Sequence, residues 1–219
     1  MKRLRSIGVG VLLATVAWCS HAEIVSTNLP VPLLMHDDFF GTPYPIDLNG
    51  DGITDFTFSA DDHSVALIPD QGNRVVYRVD PPPNLGGPLA SLASGFLVAS
   101  NLNDASFGWR SNDLGPALIV LVLSTGSTSD FNGRGYVGLE FGLADGIHYG
   151  YFDVDARPGF PSATLHGWAY ETTPGVPIVA GAVPEPGSVW LSLLGVAVLT
   201  FAARHRRLQG TAHTKPTGL

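Results

Sequence analysis

Cysteine is all but missing from this chain: Cys19 is the one thiol in 219 residues, and it lies in the apolar stretch near the start. Residues 23–183 therefore offer no disulfide, no zinc–thiolate site and no cysteine nucleophile. Lysine is absent from the same span, which holds five arginines against fifteen Asp and three Glu, a net charge of −13. So one-sided a balance repels nucleic acid and anionic lipid surfaces, and suits solubility outside the cell. The span also lacks an apolar run long enough to cross a membrane as a helix. The run at 117–123 (ALIVLVL) has seven residues; with its β-branched members it reads as a strand buried on both faces. What is plentiful is Gly (26), Pro (17) and Phe (11). Glycine and proline interrupt helices and punctuate turns, so many short strands are expected.

Both ends read as addressing segments. Residues 1–22 form a signal peptide: Lys2, Arg3 and Arg5 make a basic start, residues 7–18 are apolar, and Ser20-His21-Ala22 puts small residues at −3 and −1. Signal peptidase is expected to cut between Ala22 and Glu23. At the other end Val183-Pro184-Glu185-Pro186 precedes seventeen uncharged residues, 187–203, and then Arg204-His205-Arg206-Arg207. The uncharged run is near the lower length limit of a transmembrane helix. The Arg cluster stays cytoplasmic by the positive-inside rule, leaving the middle of the chain outside. The prolines flanking Glu185 mark a rigid boundary between domain and helix.

The motif Val183-Pro184-Glu185-Pro186, the apolar helix and the cluster Arg204, Arg206, Arg207, in that order over 183–207, resemble the PEP-CTERM sorting signal of Gram-negative bacteria. The resemblance implies an inner-membrane-anchored precursor recognised by an exosortase, removal of the tail, and delivery to the cell surface or the extracellular polymer matrix. Residues 208–219 add a polar tail beyond the point where such signals usually stop. A helix of the same pattern that stays in the membrane as a permanent anchor is the alternative. Tyr136-Val137-Gly138-Leu139, His148-Tyr149-Gly150-Tyr151 and Trp168-Ala169-Tyr170-Glu171-Thr172 are similar to a recurrent ectodomain of such proteins, which brings no activity with it.

The ectodomain, 23–182, is expected to be all-β: an antiparallel β-sandwich or jelly-roll-like fold. Residues 54–60, 65–68 and 74–79 read as short strands, and 163–172 as a late one carrying Leu165, Trp168 and Tyr170. Residues 136–143 and 147–155 form a hairpin about Asp145-Gly146, with Val137, Leu139 and Phe141 on one face. Residues 89–93 are expected to make a short helix.

The strongest local constellation is Asp47-Leu48-Asn49-Gly50-Asp51-Gly52-Ile53-Thr54-Asp55. Side-chain oxygens of Asp47, Asn49 and Asp51 can converge on one ion, Gly52 allows the sharp turn, and the Ile53 carbonyl and Asp55 complete the set. Hard oxygen donors select calcium. Phe58 stands where an EF-hand needs Glu, so the loop looks more like those of dockerin-type and integrin-type β-propeller repeats. A plain Asp/Asn/Gly turn, with Asp47 and Asn49 capping backbone groups, is the other reading. His36-Asp37-Asp38 and Asp61-Asp62-His63 set acids beside histidine, but strand neighbours point to opposite faces. Glu140 with Asp153 or Asp155 could serve as a glycosidase pair, and Trp109, Trp168, Tyr149 and Tyr151 as a sugar-stacking platform or as core. The sequence thus points to a non-enzymatic structural or adhesive surface protein, with exopolysaccharide as a partner and one structural calcium. A secreted polysaccharide-active enzyme is the alternative.

Overall fold

The computed structural model describes residues 23–36, 42–79 and 88–184. The expected signal peptide, His36's neighbours Asp37 and Asp38, Glu185 and Pro186, the expected helix at 187–203, the Arg cluster and the polar tail lie outside the described residues. The elements are β1 (Ile24–His36), β2 (Thr42–Ile46), β3 (Phe56–Ala60), β4 (Ser64–Pro69), β5 (Arg74–Arg78), β6 (Leu97–Val98) and β7 (Phe107–Arg110). After a single 3-10 turn at Asn112–Leu114 come β8 (Ala117–Leu123), β9 (Gly126–Thr128), β10 (Gly133–Leu143), β11 (Gly146–Ala156), β12 (Ser162–Glu171) and β13 (Ile178–Val179). The all-β, antiparallel expectation is met.

A six-stranded sheet, β1-β12-β11-β10-β5-β7, faces a five-stranded one, β2-β3-β4-β8-β9. Alternation along each strand fills the space between them. Val137, Leu139 and Phe141 of β10 and Phe152 and Val154 of β11 meet Phe56 and Phe58 of β3, Val65 and Leu67 of β4, and Ile119 of β8. The opposite face of the larger sheet is apolar too. Val76, Tyr149, Tyr151 and Ala169 pack beneath Ala90, Leu92, Val98 and Ile178, so the chain around β6 and β13 forms a third layer. Gly138 makes that closeness possible: a Cβ there would sit 2.6 Å from Val76 Cγ2 and 3.1 Å from Leu92 Cδ1.

Residues 89–93 are not the expected helix. Leu89 bridges to Tyr77 and Leu92 to Tyr136, and Leu92 exchanges backbone hydrogen bonds with Tyr136 at 2.8 and 3.0 Å. Edge backbone groups of the sheet outcompeted a local propensity too short to nucleate a helix. The hairpin is present, but Leu143 pairs with Gly146, so its turn is Ala144-Asp145 and Gly146, at φ 147°, opens β11. Strand β3 starts at Phe56 because Thr54 and Asp55 finish the preceding loop. The far end of β8 is not buried on both faces: Leu123 is 49% exposed, since its neighbour β9 has three residues and nothing described covers it.

One irregularity explains the inward set of β12. Asp153 pairs with Gly167 but Val154 with Leu165, leaving His166 as an extra residue. The bulge flips the parity of the strand. Leu165 on one side of it, and Trp168 and Tyr170 on the other, therefore all join the inter-sheet core.

Candidate functional site

The 47–55 loop joins β2 to β3, whose pairing ends at Ile46–Phe56, and Asp55 N donates to Ile46 O at 2.9 Å to close it. Within it Asp47 is a backbone acceptor. Its Oδ1 takes the N–H of Gly50 at 2.7 Å and of Asp51 at 3.3 Å, and its Oδ2 takes Gly52 N–H at 2.7 Å. Asn49 Oδ1 accepts from Asp51 N at 3.2 Å, Asn49 Nδ2 donates to Asp51 Oδ2 at 3.0 Å, and Asp51 Oδ1 accepts from Ile53 N at 2.8 Å. Gly50 and Gly52, at φ 79° and 86°, take the left-handed conformation that turns these N–H groups inward. The Ile53 side chain is half exposed.

Asp55 differs from the others. It is 6% exposed, its Oδ2 accepts from Leu48 N at 2.8 Å, and its carbonyl holds Asp70 N and the Asn73 side chain. Trp168 of β12 donates to Leu48 O at 3.2 Å, which ties the loop to the larger sheet. Among the described residues the trio of carboxylate and imidazole groups whose ligand atoms come within 4.8 Å of one another is Asp61, Asp62 and His63, not Asp47, Asp51 and Asp55. What the structure assembles at 47–55 is an Asx-capped turn, with the acids aimed at backbone N–H groups.

The two ends of this loop titrate in opposite senses. Burial pushes the Asp55 carboxyl above its ordinary value, the Leu48 N–H opposes this, and the charges of Asp47 and Asp51 add to the rise. For Asp47, slight burial pushes upward but is outweighed by the N–H groups of Gly52, Gly50, Asp51 and Asn49, which hold it below the ordinary value. By linkage, the contribution of Asp47 is present above its unfolded pKa and is lost as pH falls through the folded one. That of Asp55 is present below its unfolded pKa and is lost as pH rises through its raised folded value. Asp55→Asn, which keeps an acceptor for Leu48 N–H, is therefore expected to raise the metal-free melting temperature at pH 7 and to leave it little changed near pH 3. A thermal melt series over that range reads it; a lower Tm at pH 7 would contradict the assigned sign.

The other candidates are not assembled for chemistry. Asp61, Asp62 and His63 are exposed in the β3–β4 turn, where Asp61 Oδ1 accepts from His63 N at 2.9 Å and Ser64 N at 2.6 Å, and His63 Nδ1 lies 2.5 Å from Asp62. Glu140 accepts from Arg74 Nε at 2.6 Å and Asp153 from Arg134 Nε at 2.7 Å. Asp153 pairs with Tyr136 and Asp155 with Arg134, four and six residues along β10 from Glu140. At about 3.3 Å per residue the separations are roughly 13 and 20 Å, beyond the ~5–9.5 Å of glycosidase carboxylates. The supposed sugar platform is packing. Tyr149 and Tyr151 are buried beneath the third layer, Trp109 packs with them, and Trp168 joins the opposite core. Burial drives the Tyr151 hydroxyl up to about 12.

The end of the domain is closely tied. Gly95 N donates to Ala180 O at 3.0 Å, Ala180 N to Phe96 O at 2.8 Å and Ala182 N to Val179 O at 2.9 Å, and the Tyr151 hydroxyl donates to Ala182 O. No element begins between there and Pro184. Among the described residues no helix is long and apolar enough to cross a membrane. The sequence sets the expected boundary at Pro184 and Pro186 but gives no sign of Tyr151, whose phenol reaches Ala182 from thirty-one positions away.

The chain matches none of the curated proteins and none of the solved structures with which it was compared. Residues 182–207 match the family model of the PEP-CTERM protein-sorting motif, which begins at the last residue the fold holds by a hydrogen bond from a core side chain. The described β domain thus runs directly into a PEP-CTERM protein-sorting motif, and that motif implies export to the cell envelope and processing by an exosortase.

Proposed function

We propose that this protein is a non-enzymatic structural or adhesive module of the cell surface or extracellular matrix. Signal peptidase cuts after Ala22, the 187–203 helix anchors the precursor in the inner membrane, and exosortase removes the tail. The observation that carries this reading is the position of the motif. It starts at Ala182, where the packed domain ends, so a cut within it releases the whole β domain intact. A cleft of ≈ 200 Å³ near that end, with Ser26, Asn28, Arg134, Tyr136 and Asp153 in its lining, offers hydroxyl, amide and ionic groups of the kind that hold exopolysaccharide. The 47–55 loop supplies the proposed calcium site, with Asp47, Asn49, Asp51, the Ile53 carbonyl and Asp55 as ligands.

The test replaces Pro184, Glu185 and Pro186 together by alanine in the native host. Wild-type protein is expected at the cell surface or in the medium at reduced mass, and the variant as a longer form in the inner-membrane fraction. A wild type that keeps its tail and stays in the membrane would instead make this a permanently anchored envelope protein.

A further inference from the structure

Glu171, the last residue of β12, is a buried acid with no cationic side chain paired to it among the described residues. It is 3% exposed. Its Oε1 accepts two backbone N–H groups, from Thr173 at 2.9 Å and from Glu23 at 3.0 Å. Four arginines of the described residues pair with other acids: Arg74–Glu140, Arg78–Asp130, Arg134–Asp153 and Arg157–Asp155. His148 reaches Glu171 only at its backbone carbonyl, 2.9 Å from Nδ1. Removing an ionised carboxylate from water is costly unless an opposite charge and hydrogen bonds replace the solvent. Here the hydrogen bonds are in place and no side chain of the described residues supplies the charge.

The donor at 3.0 Å is the clue. Glu23 N is an amide nitrogen in the precursor, but it becomes the α-ammonium once the chain is cut after Ala22. We propose that signal-peptide removal itself completes the site: the new N-terminal ammonium of Glu23 forms a partly buried ion pair with the Glu171 carboxylate. This rests on the reading that cleavage falls before Glu23. One amide proton is replaced by three ammonium protons and a full charge at the same atom. The pair is held in register by neighbouring bonds, since Thr172 N donates to Glu23 O at 2.9 Å and Ile24 pairs with Glu171. Its place in the fold gives it leverage. Strand β1 is an edge of the larger sheet, and its ladder to β12 is interrupted between Asn28 and Leu33, where Pro30 and Pro32 have no N–H to donate. The first five residues of β1 thus depend on their own short ladder and on this terminus. The precursor would carry an uncompensated buried acid beneath a weakly held edge, and export processing would lock it.

Two measurements test this. The exported protein is sequenced from its N-terminus, with Glu23 as the expected first residue. Chains of residues 23–219 are then made with Glu23 free, with one alanine ahead of it, and with Glu23 N-acetylated, each with Glu171 and with Glu171→Gln. The free-amine protein is expected to melt about 5 °C above the extended and acetylated forms, and Glu171→Gln should remove that difference. A first residue other than Glu23 overturns the proposal and the cleavage reading together. A first residue of Glu23 with equal melting of the free, extended and acetylated forms overturns the ion pair alone. So does a difference that persists in Glu171→Gln. Should the Gln variant fail to fold, the three-way comparison on Glu171 protein still decides.

Discussion

Phe152→Ala is expected to lower the unfolding free energy by about 3–5 kcal/mol, a large part of what a domain of this size has. Phe152 is fully buried on β11. Its ring meets Phe56 edge-on at 5.5 Å between centroids, Phe58 at 5.1 Å and Trp168 at 6.5 Å. Phe56 and Phe58 belong to the smaller sheet and Trp168 to the larger, so this one ring joins the two layers. Truncation leaves a cavity whose lining comes from both sheets, and neither sheet can close it without shifting against the other. Phe160→Ala is the control, since Phe160 is 65% exposed and its loss should stay within about 0.5 kcal/mol. Urea denaturation with an unchanged slope reads both. If Phe152→Ala cost under about 1 kcal/mol, the sheets would not meet through these rings.

The parts of this fold that local chemistry decides were legible in the sequence. Alternation of Phe56 and Phe58, the apolar run of β8 and the paired strands β10 and β11 all follow from period-two patterning. What escaped is what distant partners decide. Asp145-Gly146 reads as a hairpin turn, yet the ladder runs one residue further, pairing Gly146 with Leu143 and moving the turn back to Ala144. Strict alternation would set Leu165 on the face opposite Trp168 and Tyr170. The His166 bulge, set by pairing with β11, brings all three inward. Residues 89–93 carry helix-compatible side chains, but the edge backbone groups of Val76 and Tyr136 claim them. Of the aromatic set that resembles a sugar platform, Trp109, Tyr149 and Tyr151 pack against a third layer built of short apolar pieces, none of which shows a strong pattern alone, and Trp168 packs on the opposite core. At the 47–55 loop, residue types predicted the turn and its capping by Asp47. They did not predict that Asp55 turns away from the other acids to hold Leu48. Glu171 gave no local signal, because one of its two backbone donors, Glu23 N, is brought to it from the far end of the domain by the β1–β12 pairing.

Calcium at about a hundredfold excess over its dissociation constant is expected to stabilise the domain by about 2.7 kcal/mol, a rise of about 5–10 °C in melting temperature. The proposal asks the acids of the 47–55 loop to serve an ion without dismantling the turn. Each carboxylate oxygen has two lone pairs, so Asp47 can keep the N–H groups of Gly50 and Gly52 and still face a cation. Asp51 is the residue to remove. Asp47→Ala would leave the Gly50 and Gly52 N–H groups unheld and damage the metal-free turn, whereas Asp51 is exposed and holds only Ile53 N–H and the Asn49 amide. Asp51→Ala should therefore fold near wild-type stability and lose the calcium response. Magnesium should give little of the effect, since it demands a tighter octahedron and sheds water reluctantly. The raised Asp55 carboxyl adds a pH signature: binding must displace its proton, so affinity should fall with acidification sooner than an ordinary aspartate would allow. Titration calorimetry at two pH values, with melts in calcium and in magnesium, covers all of this. A one-site isotherm abolished by Asp51→Ala and weakened by acid establishes the ion. No heat and no shift in melting temperature would leave Asp47, Asn49 and Asp51 with the work they do here, capping a nine-residue turn between β2 and β3.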